Sequence, residues 1–274
     1  MTVQQTQASG RYHAIEQWLA AEGRVDVAAI AARLGVAQET IRRDLRSMES
    51  AGKLLRVHGG AVRIDAGPLA VRTTSSPDSA REDSDLATRV WSRLPRTGTI
   101  LLGTGHLSLA LAHTIVASPP DLPGLTIVTN SLDAAIVLSR ASRLEVYNIG
   151  GTVSPVTRGQ EGDWAVHEME RLHVDVAVIC PAGISADHGL TQDTPAAAAI
   201  SQVEVSSGEH VIALADAAAL GTSAFVQFAR LDEIDLVAVS GAPSPAALQP
   251  LLDFGAALDV ENETMSVPTR RGTQ

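Results

Sequence analysis

The chain is short of cysteine, of aromatic residues and of positive charge. A single Cys180 excludes an intramolecular disulfide framework and a zinc site built from several cysteines, and it fits a reducing compartment. Aromatic residues make up 3% of the 274 residues, so the abundant Ala, Val and Leu must supply an aliphatic core. Also missing is any run of about 18 uninterrupted apolar residues. The opening MTVQQTQASGRYHAIEQ has no charged segment followed by an apolar stretch. Neither a membrane span nor an export signal is expected, and the expected compartment is cytoplasmic. Arg and Lys number 21 against 31 Asp and Glu, a formal net charge of −10. That balance argues against loose attraction of the whole surface to nucleic acid.

The deficit of positive charge is uneven. Residues 1–66 carry nine Arg and Lys against seven Asp and Glu, whereas residues 67–274 carry 12 against 24. Between these regions DAGPLAVRTTSSPDSAREDS, residues 65–84, is rich in Ser, Thr, Pro and charge, and it reads as a linker. The expected organisation is a small module at 10–65, a linker at 66–84, a larger domain at 85–260 and a flexible tail at 261–274.

In the module, Ile15, Trp18, Leu19 and Glu22 fall at helical spacing, with Gly23 as a stop. Val27, Ile30, Ala31 and Leu34 mark a second helix, with Asp26 as N-cap and Gly35 at its end. A third follows at once, with Ile41, Leu45 and Met48 on one face and Gly52 beyond it. KLLRVHGGAVRI then alternates as a β-hairpin, its turn expected at Gly59-Gly60.

On the third helix Arg42, Arg43 and Arg46 occupy a face distinct from Ile41, Leu45 and Met48. Guanidinium forks grip phosphates or the guanine edge in the major groove, which admits a helix. Gln38 and Thr40, near the helix start, add short hydrogen-bonding groups where such helices meet base edges. The hairpin would bring Arg56 and His58 to the adjoining backbone or minor groove. Taken alone, the basic face also fits a solvated surface, with Glu39 and Arg43 as an i,i+4 pair. Three helices around a Gly turn, followed by a glycine hairpin, form a winged helix-turn-helix pattern. That pattern tips the reading towards double-stranded operator DNA as a partner.

The remainder alternates aliphatic strands (TILLG, LTIVTN, LEVYNIGG, DVAVICPAG, HVIALAD, LVAVSG) with helical stretches rich in Ala. Such alternation favours α/β architecture with a mostly parallel sheet, whose ligands bind at the carboxyl ends of the strands.

At this point the sequence resembles the DeoR family of bacterial transcriptional regulators. VAAIAARLGVAQETIRRDLRSMESAGKLLRVHGGAV follows the family's N-terminal signature, including TIRRDL and the RVHGGA wing, and the likeness continues to about Val239. The resemblance implies a DNA-binding transcription factor, commonly a repressor, that acts as a homo-oligomer on repeated sites. It implies an α/β fold in which a winged helix-turn-helix joins a Rossmann-like C-terminal domain similar to sugar-phosphate isomerases. That second domain would sense a small-molecule effector, a sugar phosphate or a divergent ligand, and assemble the subunits.

Within that domain LLGTGHLSLALA nominates Gly103, Thr104, Gly105 and His106 as an anion cradle at a helix N-terminus. By spacing alone the same residues fit a tight strand-to-helix turn. TIVTNSL nominates Thr129, Asn130 and Ser131, IGG nominates Gly150 and Gly151, and LADAAALGTSAF nominates Asp216. The chain departs from the family pattern in three places. Gly103 stands where the loop usually carries an acid, and Ser201 and Ala219 stand where lysines are expected. Losing both ammonium groups predicts altered effector chemistry or a weakened site. His167, His173 and Cys180 lack metal-ligand spacing, so no metal, cofactor or catalytic residue is expected. An isomerase-like or deaminase-like enzyme, or a DNA-binding protein without an effector, are the alternative readings.

Overall fold

A computed structural model of the chain describes residues 3–22, 24–50, 53–57, 59–62, 77–118, 124–260 and 263–264. The chain forms two compact units, Met1–Ser76 and Pro77–Gln274.

In the first unit α1 (Val3–Glu22) is followed by β1 (Arg24–Asp26), α2 (Val27–Leu34), α3 (Gln38–Ser50), β2 (Leu55–Val57) and β3 (Gly60–Val62). Asp26 starts α2 by accepting from the Ala28 and Ala29 N–H groups at 2.8 and 3.0 Å. Gly35, at φ 63°, ends it in the left-handed conformation, and the turn to α3 is short. Ile15, Leu19, Ile30, Ile41, Leu45 and Met48 converge in one buried cluster. Burying each such side chain stabilises the fold by roughly 1.5–3 kcal/mol. Arg11 clamps α1 to α3 through two bonds to the buried Asp44 carboxylate, at 2.6 and 3.0 Å. The bond to Asp44 also raises the Arg11 guanidinium above its ordinary pKa.

The strands form one antiparallel sheet in the order β1-β3-β2. Val57 pairs directly with Gly60, so the hairpin turn lies one residue earlier than the Gly59-Gly60 position expected from sequence. The cause is steric. A β-carbon at residue 60 would overlap the Val25 carbonyl oxygen, so this glycine belongs inside the strand, where β1 and β3 approach closely.

The second unit opens with α4 (Pro77–Arg93), whose first two turns fall inside the stretch read as linker. Pro77 is suited to a first helical position and Asp78 favours the positive helix start. Leu86, Ala87, Val90 and Trp91 then bury the helix face, which a composition dominated by Ser, Asp and Arg concealed. There follow β4 (Gly98–Leu102), α5 (His106–Ala117), β5 (Leu125–Thr129), α6 (Leu132–Leu138), β6 (Glu145–Asn148), β7 (Thr152–Val153), β8 (Gln160–Glu161), α7 (Asp163–Met169) and β9 (Val174–Ile179). The chain continues with β10 (Gly183–Ser185), β11 (Gly189–Gln192), α8 (Pro195–Ser207), β12 (Gly208–Asp216), β13 (Val226–Ala229), β14 (Leu236–Ser240), α9 (Pro245–Phe254), β15 (Leu258–Val260) and β16 (Glu263–Thr264). Thr194 and Ser244 cap α8 and α9, each just ahead of a proline.

The main sheet runs β16-β15-β14-β12-β9-β4-β5-β6. Its strands pair in parallel except β16, which pairs antiparallel with β15. That last pairing places Glu263 and Thr264 in the sheet, inside the segment expected to be a flexible tail. Helices cover both faces. Ile212 and Leu214 join the cluster under α4 and α5, whereas Val211, Ala213 and Ala215 face α8 and α9. This is the mostly parallel α/β sheet expected from the alternating pattern, in the Rossmann-like form that the family resemblance implies. From β4 the chain moves outward through β5 and β6, then returns to place β9 on the other side of β4. The reversal puts the switch point, where such sheets usually bind ligands in a crevice, between the carboxyl ends of β4 and β9.

Candidate functional site

On α3 the structure separates two faces. Ile41, Leu45 and Met48 are buried, whereas Gln38, Arg42, Arg43 and Arg46 are exposed and Thr40 is half-buried. The expected pairing of Glu39 with Arg43 is replaced by another. Glu39 lies 3.4 Å from Arg42 and 3.2 Å from Arg46, because these neighbours flank it along one strip of the helix. Gln38 also accepts a bond from Arg42 at 3.3 Å. Asp44, in the middle of the arginine run, points inward to Arg11 and serves the fold. Of Arg56 only the backbone, in β2, is described, and His58 lies outside the described residues.

The second site gathers at the β4–β9 crevice. The Gly103 N–H donates to the Val178 carbonyl at 2.8 Å, tying the loop after β4 to the neighbouring strand. Gly105 precedes α5, and a β-carbon there would lie 2.5 Å from that of Cys180. Cys180 Sγ is itself 3.2 Å from Ser108 Oγ. Asn130 is the hub of the crevice: its Oδ1 accepts from the Thr104 hydroxyl at 3.2 Å, and its Nδ2 donates to the Gln160 carbonyl at 3.4 Å. Gln160 donates to Asn148 at 2.7 Å, and Gln192 donates to Ser201 at 3.0 Å.

Flanking residues do more local work. The Thr129 hydroxyl donates to the Leu102 carbonyl and accepts from the Ser131 N–H, while Ser131 caps α6. Gly150 and Gly151 follow β6 and are exposed. His106 Nε2 lies 3.8 Å from Asp83 on α4. Asp216 sits at the carboxyl end of β12, beside Ser240, and accepts from the Ala218 and Ala219 N–H groups. The crevice therefore brings together Gly103, Thr104, Gly105 and Asn130, while the Asp216 carboxylate shapes its own turn. His167, His173 and His188 are exposed, and among the described residues no three His, Cys, Asp or Glu side chains converge as a metal set.

Sequence reasoning missed Glu204. This α8 residue is buried, and its carboxyl hydrogen-bonds with Asn130 and Ser201. Burial raises its pKa to about 8, although both bonds pull it down. The available signal was a lone charge among Val203, Val205 and Ile200 on a helix with no other charged residue.

Residues 11–66 match the DeoR-like helix-turn-helix domain, and residues 79–240 match the DeoR C terminal sensor domain. The HTH-type transcriptional repressor GlcR of Bacillus subtilis (strain 168) is 29% identical, over 86% of this chain and 90% of its own. The HTH-type transcriptional regulator GlpR of Haloferax volcanii is 31% identical, over 80% and 84%. Ribose 5 phosphate isomerase A from Neisseria gonorrhoeae shares 13% identity at a TM-score of 0.38, covering 52% of this chain and 53% of that one, a likeness too distant to argue from.

Proposed function

Because the chain belongs to the DeoR family of transcriptional regulators, we propose that it represses transcription by gripping double-stranded operator DNA, and that a small-molecule effector in the β4–β9 crevice controls the grip. The observation that carries this reading is the division of α3. Its apolar face is consumed by the core, and its guanidiniums stay exposed, with side chains of Arg42 and Arg46 51% and 55% accessible. Gln38, Thr40, Arg42, Arg43 and Arg46 meet the major groove in this reading, and the wing with Arg56 and His58 meets the flanking backbone.

The proposed division of labour assigns DNA binding to residues 10–65 and sensing with homo-oligomer assembly to 85–260. Control requires the effector to prefer one arrangement of the protein over another. The protein works by binding rather than turnover, in the cytoplasm and without a cofactor. Footprinting of full-length protein on its own upstream region tests the proposal. Protected repeats are expected, and Arg42→Ala with Arg46→Ala should erase them. Failure to retain any upstream fragment at low salt, with and without metabolites, would overturn it.

A further inference from the structure

A phosphate ester at a helix N-terminus is held by backbone N–H groups and more tightly where cations add charge-assisted bonds of their own. Residues 77–274 contain no lysine. The loops beyond the carboxyl ends of the strands, residues 103–105, 130–131, 149–162, 180–194, 217–225 and 241–244, carry one arginine between them. That residue, Arg158, has its guanidinium 2.9 Å from the Asp133 carboxylate at the start of α6. The nearby imidazole of His106 faces Asp83. Each of these basic groups is thus already matched to an acid.

Glu204 lies deeper. A β-carbon built on Gly103 would fall 2.8 Å from Glu204 Oε2, so the carboxyl fills the space beside the cradle that a loop side chain would otherwise take. Burial raises its pKa to about 8, so near pH 7 the carboxyl is largely protonated. What the crevice does offer is a connected set of neutral groups. The side chains of Thr104, Asn130, Gln192 and Ser201 are linked to one another or to Glu204 by hydrogen bonds. Amides and hydroxyls both donate and accept, as sugar hydroxyls do.

We infer that the crevice takes an uncharged, hydroxyl-rich effector, a free sugar or polyol, and that Glu204 is the residue that sets its preference over the phosphate ester. The inference rests on the effector-sensing role proposed above. Glu204 acts through position: it occupies the space beside the loop that a phosphate would need, and it holds Asn130 and Ser201 without supplying a cation.

Calorimetric titration of the full-length protein with matched pairs tests this: ribose and ribose 5-phosphate, glucose and glucose 6-phosphate, ribitol and ribitol 5-phosphate. Operator release is followed in parallel. Saturable binding is expected from an unphosphorylated member, with its phosphate at least tenfold weaker. In Glu204→Ala, which empties the space beside the loop and releases Asn130 and Ser201, the ratio between the two should narrow, and adding Ser201→Lys should reverse it. If the double variant does not fold by circular dichroism, the wild-type and Glu204→Ala ratios decide. Tighter binding of a phosphorylated member overturns the inference and leaves effector sensing standing. An unchanged ratio in Glu204→Ala removes the role given to Glu204. No binding or operator release with any pair counts against the sensing role itself, and the inference falls with it.

Discussion

Glu39 sits between Arg42 and Arg46 on the exposed face of α3, and so confines both guanidiniums to one strip of the helix before DNA arrives. Exposed pairs of this kind are worth about 0–1 kcal/mol, so exchanging the carboxylate for a phosphate costs little. Arg42→Ala and Arg46→Ala are each expected to weaken operator binding. A phosphate contact would show as a drop of about one in the slope of log affinity against log salt, and a guanine contact as a loss of about 1–3 kcal/mol specific to one base pair. Fluorescence anisotropy across a salt series and a set of operator variants distinguishes the two. Asp44 belongs to the fold instead. Asp44→Ala leaves the Arg11 guanidinium without its main partner and should cost roughly 1–3 kcal/mol, read from thermal unfolding. Glu204 makes stability depend on pH. Its native pKa, about 8, lies above the ordinary glutamate value, so the native state holds the proton more tightly than the unfolded chain does. Its contribution to stability is therefore fully present at pH values below about 4.3 and is lost as pH rises through about 8, with a slope of at most about 1.4 kcal/mol per pH unit. Urea denaturation from pH 5 to 9 should show the decline in the wild type and a flatter profile in Glu204→Gln.

Elements in this chain are specified by spacing where they are long and by close contacts where they are short. Gly60→Ala is expected to disrupt the three-stranded wing, because the added methyl meets the Val25 carbonyl and forces β1 from β3. Overpacking of this kind typically costs about 1–3 kcal/mol, and both the melting temperature and operator affinity should fall. The six main strands read from the sequence are all present; five are mostly buried aliphatic runs of a parallel sheet, whereas β6 is a largely exposed edge strand. The strand before α2 was not legible: Arg24–Asp26 is three residues long and exists by pairing with β3, some 35 residues away. The start of α4 was hidden by polar residues that look the same in a linker and on an exposed helix turn. In the crevice, the loop around Gly103-Thr104-Gly105 and the Asn130 segment could be nominated from local sequence. Glu204 could not, because its significance comes from Gly103, a hundred residues earlier, which leaves the space it fills.

The whole molecule joins a slightly basic first region to a strongly acidic second one, with 12 Arg and Lys against 24 Asp and Glu in residues 67–274. Such a chain should discriminate well against random DNA, since the acidic part repels phosphates that α3 does not engage. On mixed-sequence duplex DNA, binding should vanish by about 0.2 M salt while operator binding persists. Equal retention of both by anisotropy would contradict that expectation. The strand order also sets a sequence of events during synthesis. The first unit relies on contacts close in the chain, whereas β4 must wait for β9, roughly 70 residues further on, before its neighbour across the crevice exists. At about 5–20 residues per second, that wait lasts on the order of several seconds. A nascent chain therefore carries a folded helix-turn-helix before its regulatory half is assembled, and a ribosome stalled within that interval would hold a DNA-binding module with no means of being switched.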